Sequence, residues 1–269
     1  MRIGVFDSGL GGLTVFRALR NALPTADLLY LGDTARTPYG SKGEHTILRY
    51  SRECADFLCS RSIDALVIAC NTSSAIAIEE LKKDLPLPVF GTIDAAVGES
   101  MRGENASIGI IATHATIAKG AYQRSIAQKL PRVEVIAKAC PLFVPLVENG
   151  ILSGPVLEAT LDLYLAELRE KRLSTLILGC THYPFLRPAF ERYFHGEVRL
   201  IDCADAVARE VAGALTQEPW TNKAVTGRSE FYVTDEPSRF DYLARVFFEQ
   251  EQPQAVQVEE LATHRPCGI

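Results

Sequence analysis

Two stretches of this chain, Ala65-Leu66-Val67-Ile68-Ala69-Cys70-Asn71-Thr72 and Thr175-Leu176-Ile177-Leu178-Gly179-Cys180-Thr181-His182, carry the same pattern 110 positions apart. Each is an unbroken apolar run, then a cysteine, then small polar residues. An apolar run without alternation reads as a strand buried on both faces, as in a parallel sheet. The hydroxyl and amide residues behind it read as a helix entry, with Asn71 or Thr72 and then Thr181 as candidate N-caps. Other strands repeat as well. Ile108 to Thr113 echoes the first strand, Ile3 to Asp7, and Val198 to Asp202 echoes Val89 to Asp94, with Asp94 and Asp202 108 positions apart. Near-constant spacing is what a duplicated unit gives and what chance similarity of strands does not. The expected fold class is α/β: two pseudo-symmetric, doubly wound parallel-sheet lobes from an internal duplication, with the active site between them. The expected division is 1–93 plus 208–269 for a discontinuous first lobe and 94–207 for the second, the chain crossing at Ile93-Asp94-Ala95 and Ile201-Asp202-Cys203.

The remaining elements follow from periodicity. After the first strand, Ser8-Gly9-Leu10-Gly11-Gly12 turns the chain into a helix from Leu13 to Leu23 and brings backbone close to a ligand. As a dinucleotide fingerprint it fails, because Thr14 stands where a third glycine is needed. Leu28 to Leu31 is a strand, and Gly32 to Ser41 a polar, punctuated loop. Helical spacing of Ile47, Cys54, Ala55 and Leu58 predicts a helix from Gly43 to Cys59 that uses Cys54 and Cys59 for packing. In the second unit, Thr116 to Lys129 and Pro155 to Lys171 read as helices around an apolar segment, Pro141 to Gly150, that holds the unexpected carboxylate Glu148. A helix from Ala204, a linker from Thr216 to Arg228, a strand from Glu230 to Thr234 and a helix from Ser238 to Phe248 complete the chain. This tail is expected to return to the first lobe and to end raggedly from about Gln250.

Composition excludes several classes. The net charge is -5 without a Lys/Arg cluster, which argues against nucleic acid or a membrane surface as partner. No long apolar span or signal-type segment is present, so a cytoplasmic protein with reduced thiols is expected. The seven cysteines (54, 59, 70, 140, 180, 203 and 267) show no CxxC pairing, so no metal is expected.

A single cysteine at a strand end is most often a small inert hydrophobe. Two in matching contexts, at the strand edge where open α/β sheets bind ligands and beside helix N-termini that favour a thiolate, suggest paired chemistry. Thiols from the two halves of a pseudo-symmetric pair can flank one carbon from opposite faces. One removes a proton and the other returns one, which inverts a stereocentre.

Val5-Phe6-Asp7-Ser8-Gly9-Leu10-Gly11-Gly12, Asp33-Thr34-Ala35-Arg36 with Pro38-Tyr39-Gly40, Ala69-Cys70-Asn71-Thr72 and Gly179-Cys180-Thr181-His182-Tyr183-Pro184 together resemble the cofactor-independent glutamate racemases, from Arg2 to about Phe248. The resemblance implies glutamate buried between the lobes, Cys70 and Cys180 as the acid/base pair, no cofactor, and D-glutamate supplied for peptidoglycan. It further implies substrate contacts from Asp7, Ser8, Tyr39, Gly40, Ser41, Asn71, Thr72, Thr113, Thr181 and His182. Asp7 is implied beside one thiol, and Glu148 with His182 beside the other. It leaves room for a homodimer. None of these positions is Arg or Lys, so hydroxyls and the N–H groups of helix N-termini after Ser8, Cys70 and Cys180 are expected to hold the carboxylates.

Four rivals remain on the sequence alone, of which a thiol oxidoreductase is disfavoured because the two cysteines stand in separate lobes rather than in CxxC. An aspartate racemase or related two-cysteine isomerase shares the logic and differs in pocket length. A small-ligand-binding regulatory protein on the same fold needs the loops but neither thiol. A pyridoxal-dependent racemase needs a Schiff-base lysine.

Overall fold

The computed structural model describes residues 1–103, 107–215, 227–247 and 253–261. The strands are β1 (Arg2–Asp7), β2 (Asp27–Gly32), β3 (Ala65–Ile68), β4 (Val89–Gly91), β5 (Ser107–Ala112), β6 (Glu134–Ala139), β7 (Thr175–Gly179), β8 (Arg199–Asp202), β9 (Ser229–Val233) and β10 (Val256–Gln257). Between them run α1 (Leu13–Ala22), α2 (Glu44–Cys59), α3 (Asn71–Asp84), α4 (Thr92–Ser100), α5 (His114–Lys119), α6 (Ala121–Lys129), α7 (Phe143–Glu148), α8 (Pro155–Glu170), α9 (Arg187–Tyr193), α10 (Cys203–Leu215) and α11 (Pro237–Phe247). None of these helices is long and apolar enough to cross a membrane.

The strands form two wholly parallel sheets. One has the order β10-β9-β2-β1-β3-β4 and the other β6-β5-β7-β8. The run β2-β1-β3-β4 maps onto β6-β5-β7-β8 strand for strand, so the repeat read from the sequence is a repeat of topology. Strand side chains alternate between faces. Val5 and Val67 pack with Phe16 of α1, Val207 and Val211 of α10 and Phe240 of α11. Phe6 and Ile68 pack on the other face with Phe57 and Leu58 of α2 and Leu81 of α3. In the second sheet Leu176 and Leu178 meet α7, α8 and α9, and Ile108, Ile110 and Ile177 meet α4 and α6.

Several elements differ from the expectations above. β6 was not foreseen, because Arg132-Val133-Glu134-Val135-Ile136-Ala137-Lys138 lies at the sheet edge, where half-burial leaves a mixed sequence. The helix expected from Thr116 to Lys129 is two helices divided at Gly120, whose φ of +68° ends α5 in the left-handed conformation that glycine adopts without strain. β4 stops at Gly91 and Ile93 already lies in α4. The tail does return to the first sheet, through β9 beside β2, and residues expected to be ragged instead add the edge strand β10. Cys59 is disulfide-bonded, against the expectation of reduced thiols. The linker 216–226 and the end from 262, with Cys267, lie outside the described residues.

The second lobe's aromatic core fixes the turn behind Cys180. Phe143 is fully buried and meets Tyr164, Tyr183 and Phe190 edge-on at centroid distances of 5.4, 5.5 and 5.4 Å. Tyr183 donates to the carbonyl of Cys140 at 2.8 Å. Phe143→Ala is expected to destabilise the fold by about 3–5 kcal/mol, the usual cost of emptying a buried phenylalanine site, read as a lower urea midpoint. A midpoint shift under about 0.5 kcal/mol, the scale of a surface substitution, would contradict that role.

Candidate active site

The loops behind β1, β2, β3, β5 and β7 meet between the two sheets, where Asp7 and Gly11 face Thr181 and where Thr72 and Gly40 face Thr113, at the carboxyl edge that open α/β sheets use for ligands. Asp7, the last residue of β1, is 0% exposed. One carboxylate oxygen accepts the Gly9 N–H at 2.9 Å, and the other accepts the Thr181 hydroxyl from the second lobe at 3.3 Å. Burial pushes the Asp7 carboxyl above its ordinary value, while His182 and the Gly9 and Gly12 amides pull it back.

The glycines of the Ser8–Gly12 turn serve close approach. A Cβ at Gly12 would overlap Asp7, and one at Gly11 would overlap Thr181 Oγ1 and stand 2.7 Å from His182 Nδ1. The turn lies flat against the other lobe. The Tyr30 hydroxyl donates to the Gly9 carbonyl at 2.6 Å and fixes its path.

Cys70 itself occupies the N-cap position of α3, with Asn71 as the first helical residue, so neither Asn71 nor Thr72 is the cap. Cys70 is 5% exposed and its sulfur lies 3.7 Å from Ser8 Oγ. The helix N-terminus does not make it a ready thiolate. Burial, reinforced by the Asp7 charge, pushes the Cys70 thiol up to about 11, and the Ser73 amide and the hydroxyls of Ser8 and Ser73 recover only part of the shift. At neutral pH Cys70 is a neutral acid.

Cys180, 7% exposed, is placed differently. The chain behind it forms a 3-10 turn, Tyr183–Leu186, before α9, so Thr181 caps no α-helix and the anion-binding N-terminus expected there is absent. Thr181 binds Asp7 instead. His182 Nδ1 stands 3.9 Å from Cys180 Sγ, and its Nε2 stands 3.2 Å from Glu148 Oε1 at the end of α7. Burial alone would lower the His182 pKa, but its contact with Cys180 and its ion pair with Glu148 outweigh burial and hold it up at about 10. Against the pull of burial, the same pairing keeps Glu148 below its ordinary value. An imidazolium therefore stands beside Cys180, as a buried carboxylate stands beside Cys70.

Hydroxyls join the lobes around this pair. Thr72 Oγ1 lies 3.0 Å from Thr113 Oγ1 and 3.3 Å from Thr116 Oγ1. A Cβ at Gly40 would overlap the Thr113 side chain, so that loop also presses on the second lobe. Asn71 Oδ1 accepts from Thr92 and Tyr122, and its Nδ2 is buried without a partner.

The hydroxyls of Tyr39 and Ser41 bond within their own lobe. The Tyr39 hydroxyl turns inward to Asp33 and lies 3.8 Å from Cys54 Sγ, and the exposed Ser41 hydroxyl reaches only the Pro38 carbonyl, at 3.5 Å. Arg36 is engaged by Asp33 and Glu53, so it offers no free cation to the site. Among the described residues no cluster of three His, Cys, Asp or Glu side chains could hold a metal.

The sequence reading passed over Thr37 and Ser73. Thr37 Oγ1 is buried without a partner against Gly9 and lines a cavity of about 100 Å³ with Gly9, Glu148 and α11. Their signal was adjacency alone: Thr37 sits inside the polar loop, and Ser73 three residues behind Cys70.

Residues 3–211 match the model of the Asp/Glu/hydantoin racemases. The chain belongs to that family. It is 45% identical to the glutamate racemase of Aquifex aeolicus over 252 residues, which are 93% of this chain and 95% of that protein. Its fold is similar to the structure of the Francisella tularensis glutamate racemase in complex with D-glutamate, with a TM-score of 0.89 at 36% identity over 98% of each chain. It is also similar to the Thermus thermophilus glutamate racemase in complex with β-chloro-D-alanine, with a TM-score of 0.85 at 44% identity over 96% of this chain and 97% of that one.

The raised His182 pKa has a measurable consequence. The folded state holds this proton more tightly than the unfolded chain, so the stabilisation is complete below about 6.5, the unfolded value, and is lost as pH rises through about 10. Glu148→Gln removes the carboxylate charge beside Nε2 and should lower the His182 pKa. Urea midpoints taken from pH 6 to 10 should then fall over a narrower, more acidic window than in the parent. Identical midpoint profiles would show that Glu148 does not hold the proton.

Proposed function

We propose that this chain is a cofactor-independent glutamate racemase that interconverts L- and D-glutamate by a two-base transfer at Cα. The placement of Cys70 and Cys180 at the ends of the matching central strands β3 and β7 carries the reading. They face one seam, and each has its own protonation partner.

When Cys180 acts as base, its thiolate takes the α-proton, the Cα–H bond breaks, and its electron pair is left on a carbanion. The Cys70 thiol then gives its proton to Cα from the opposite face. The product is the mirror image, with the two sulfurs left in exchanged protonation states. The reverse reaction exchanges the roles. Cys180 is assigned to L-glutamate and Cys70 to D-glutamate.

The Asn71 amide and the Thr72 and Thr113 hydroxyls supply donors for the carboxylates, and Asp7 stands beside Cys70 as the group that governs its proton. The D-glutamate so made suits peptidoglycan synthesis in the cytoplasm.

Incubation of the purified protein with L-glutamate in deuterated buffer tests the proposal, with deuterium at Cα and loss of optical rotation expected. Retention of the α-hydrogen would reject it, and faster racemisation of aspartate would move the substrate assignment. Cys70→Ser and Cys180→Ser should each lower racemisation by about 10²–10⁴-fold, the usual worth of a positioned acid or base. Each should nevertheless keep elimination from one enantiomer of an analogue with a leaving group at Cβ: the L form for Cys70→Ser, the D form for Cys180→Ser. If both variants favoured the same enantiomer, the two-base scheme would be wrong.

A further inference from the structure

Among the described residues Asn71 is the one amide side chain buried beside a reactive cysteine, and its orientation is decided by groups from outside its own helix. Its Oδ1 accepts from the Thr92 hydroxyl of α4 at 2.9 Å and from the Tyr122 hydroxyl of α6 at 2.6 Å. A hydroxyl can donate or accept, and here both donate, so the amide end they meet is the oxygen. The other end, Nδ2, is thereby turned away from both, and it is buried without a partner. An amide N–H buried in this way costs about 1–3 kcal/mol. An acceptor carried by a ligand removes that cost. The reverse orientation would turn a carbonyl oxygen toward a substrate that carries two carboxylates.

Tyr122 is the better anchored of the two donors. It is fully buried in the second lobe, and its ring edge packs so closely on β7 that a Cβ at Gly179 would stand 3.2 Å from Tyr122 Cε2. Its hydroxyl oxygen also lies 3.2 Å from Cys203 Sγ, and that thiol donates to the Leu178 carbonyl at 3.2 Å. Leu178 stands two residues before Cys180, and Asn71 directly follows Cys70. A continuous buried chain, Asn71–Tyr122–Cys203–Leu178, thus links the turn carrying one thiol to the strand carrying the other.

We infer that Tyr122, which makes no contact with substrate itself, is a positioning residue of the racemase: its hydroxyl locks the Asn71 amide with Nδ2 facing the substrate carboxylate. This rests on the proposed racemase activity. The lock acts on binding, because the carboxylate is present in substrate and transition state alike, so its loss appears in KM for both enantiomers.

The test is a cycle of Tyr122→Phe, Asn71→Ala and the double variant, assayed with L- and D-glutamate, with thermal midpoints measured on each. Tyr122→Phe should raise KM by roughly 5–10-fold for both enantiomers with a smaller change in kcat, the size of one hydrogen bond. In the Asn71→Ala background the same change should alter KM less than about twofold, because the group it orients is gone. An unchanged KM in Tyr122→Phe, or an effect that adds in full on top of Asn71→Ala, would overturn the inference even if the thermal midpoint fell. Should Tyr122→Phe not fold, Thr92→Val removes the other donor and must raise KM in the same cycle. A parent protein without racemase activity would reject the proposed function and this inference with it. An active parent with an indifferent Tyr122→Phe rejects the inference alone.

Discussion

Asp7 is a carboxylate with no exposed surface, at the seam of two lobes, with no Arg or Lys among its partners. A buried carboxylate without hydrogen bonds would not survive ionised. It is held by backbone amides of its own turn and by a hydroxyl from the other lobe, and both demands shape what surrounds it. The amides require the chain to fold tightly over the carboxylate, which Gly12 permits. The Thr181 hydroxyl requires the second lobe to come within hydrogen-bond distance, which Gly11 permits. Docking of the lobes and polar satisfaction of Asp7 are one condition.

The same condition makes the two thiols unequal. Sheet topology puts Cys70 and Cys180 in equivalent places, yet the polar groups that surround them are not equivalent. Cys70 sits in the field of a carboxylate and is pushed up to about 11, while Cys180 has the His182–Glu148 pair at its side. A pseudo-twofold scaffold with an asymmetric lining can present an acid on one face and a prospective base on the other. A perfectly symmetric one would give both thiols the same proton affinity. Reversible inversion needs the inequality to be small enough for the roles to exchange, and the protonation partners at both ends are the groups that can adjust it.

Hydroxyls and amides in place of fixed cations carry a second consequence. The threonine cluster at Thr72, Thr113 and Thr116 and the Asn71 amide are neutral, so the lobes close on one another without a buried unpaired charge. A guanidinium at the same place would need a counter-ion whenever the substrate was absent. Asn71 Nδ2 and Thr37 Oγ1 are buried without partners, groups that a ligand can meet.

The sequence by itself determined the duplication, the parallel α/β class and the two cysteines at matching strand ends, because a strand buried on both faces must be apolar throughout and the residue after it must turn. The spacing of Cys70 and Cys180 needed no coordinates. What only the tertiary structure decided is how those residues are protonated and what they touch. The sequence placed Thr181 as a helix cap, but it bonds Asp7; a short 3-10 turn follows it because Tyr183 must enter the Phe143 core. The Tyr39 hydroxyl turns inward to Asp33, and Tyr122, an unremarked aromatic on a helix, reaches Asn71 across the seam. Local pattern fixes which face of an element is apolar. Proton affinity and the direction of a hydrogen bond depend on desolvation and on partners distant in sequence, and those exist only once the lobes have met.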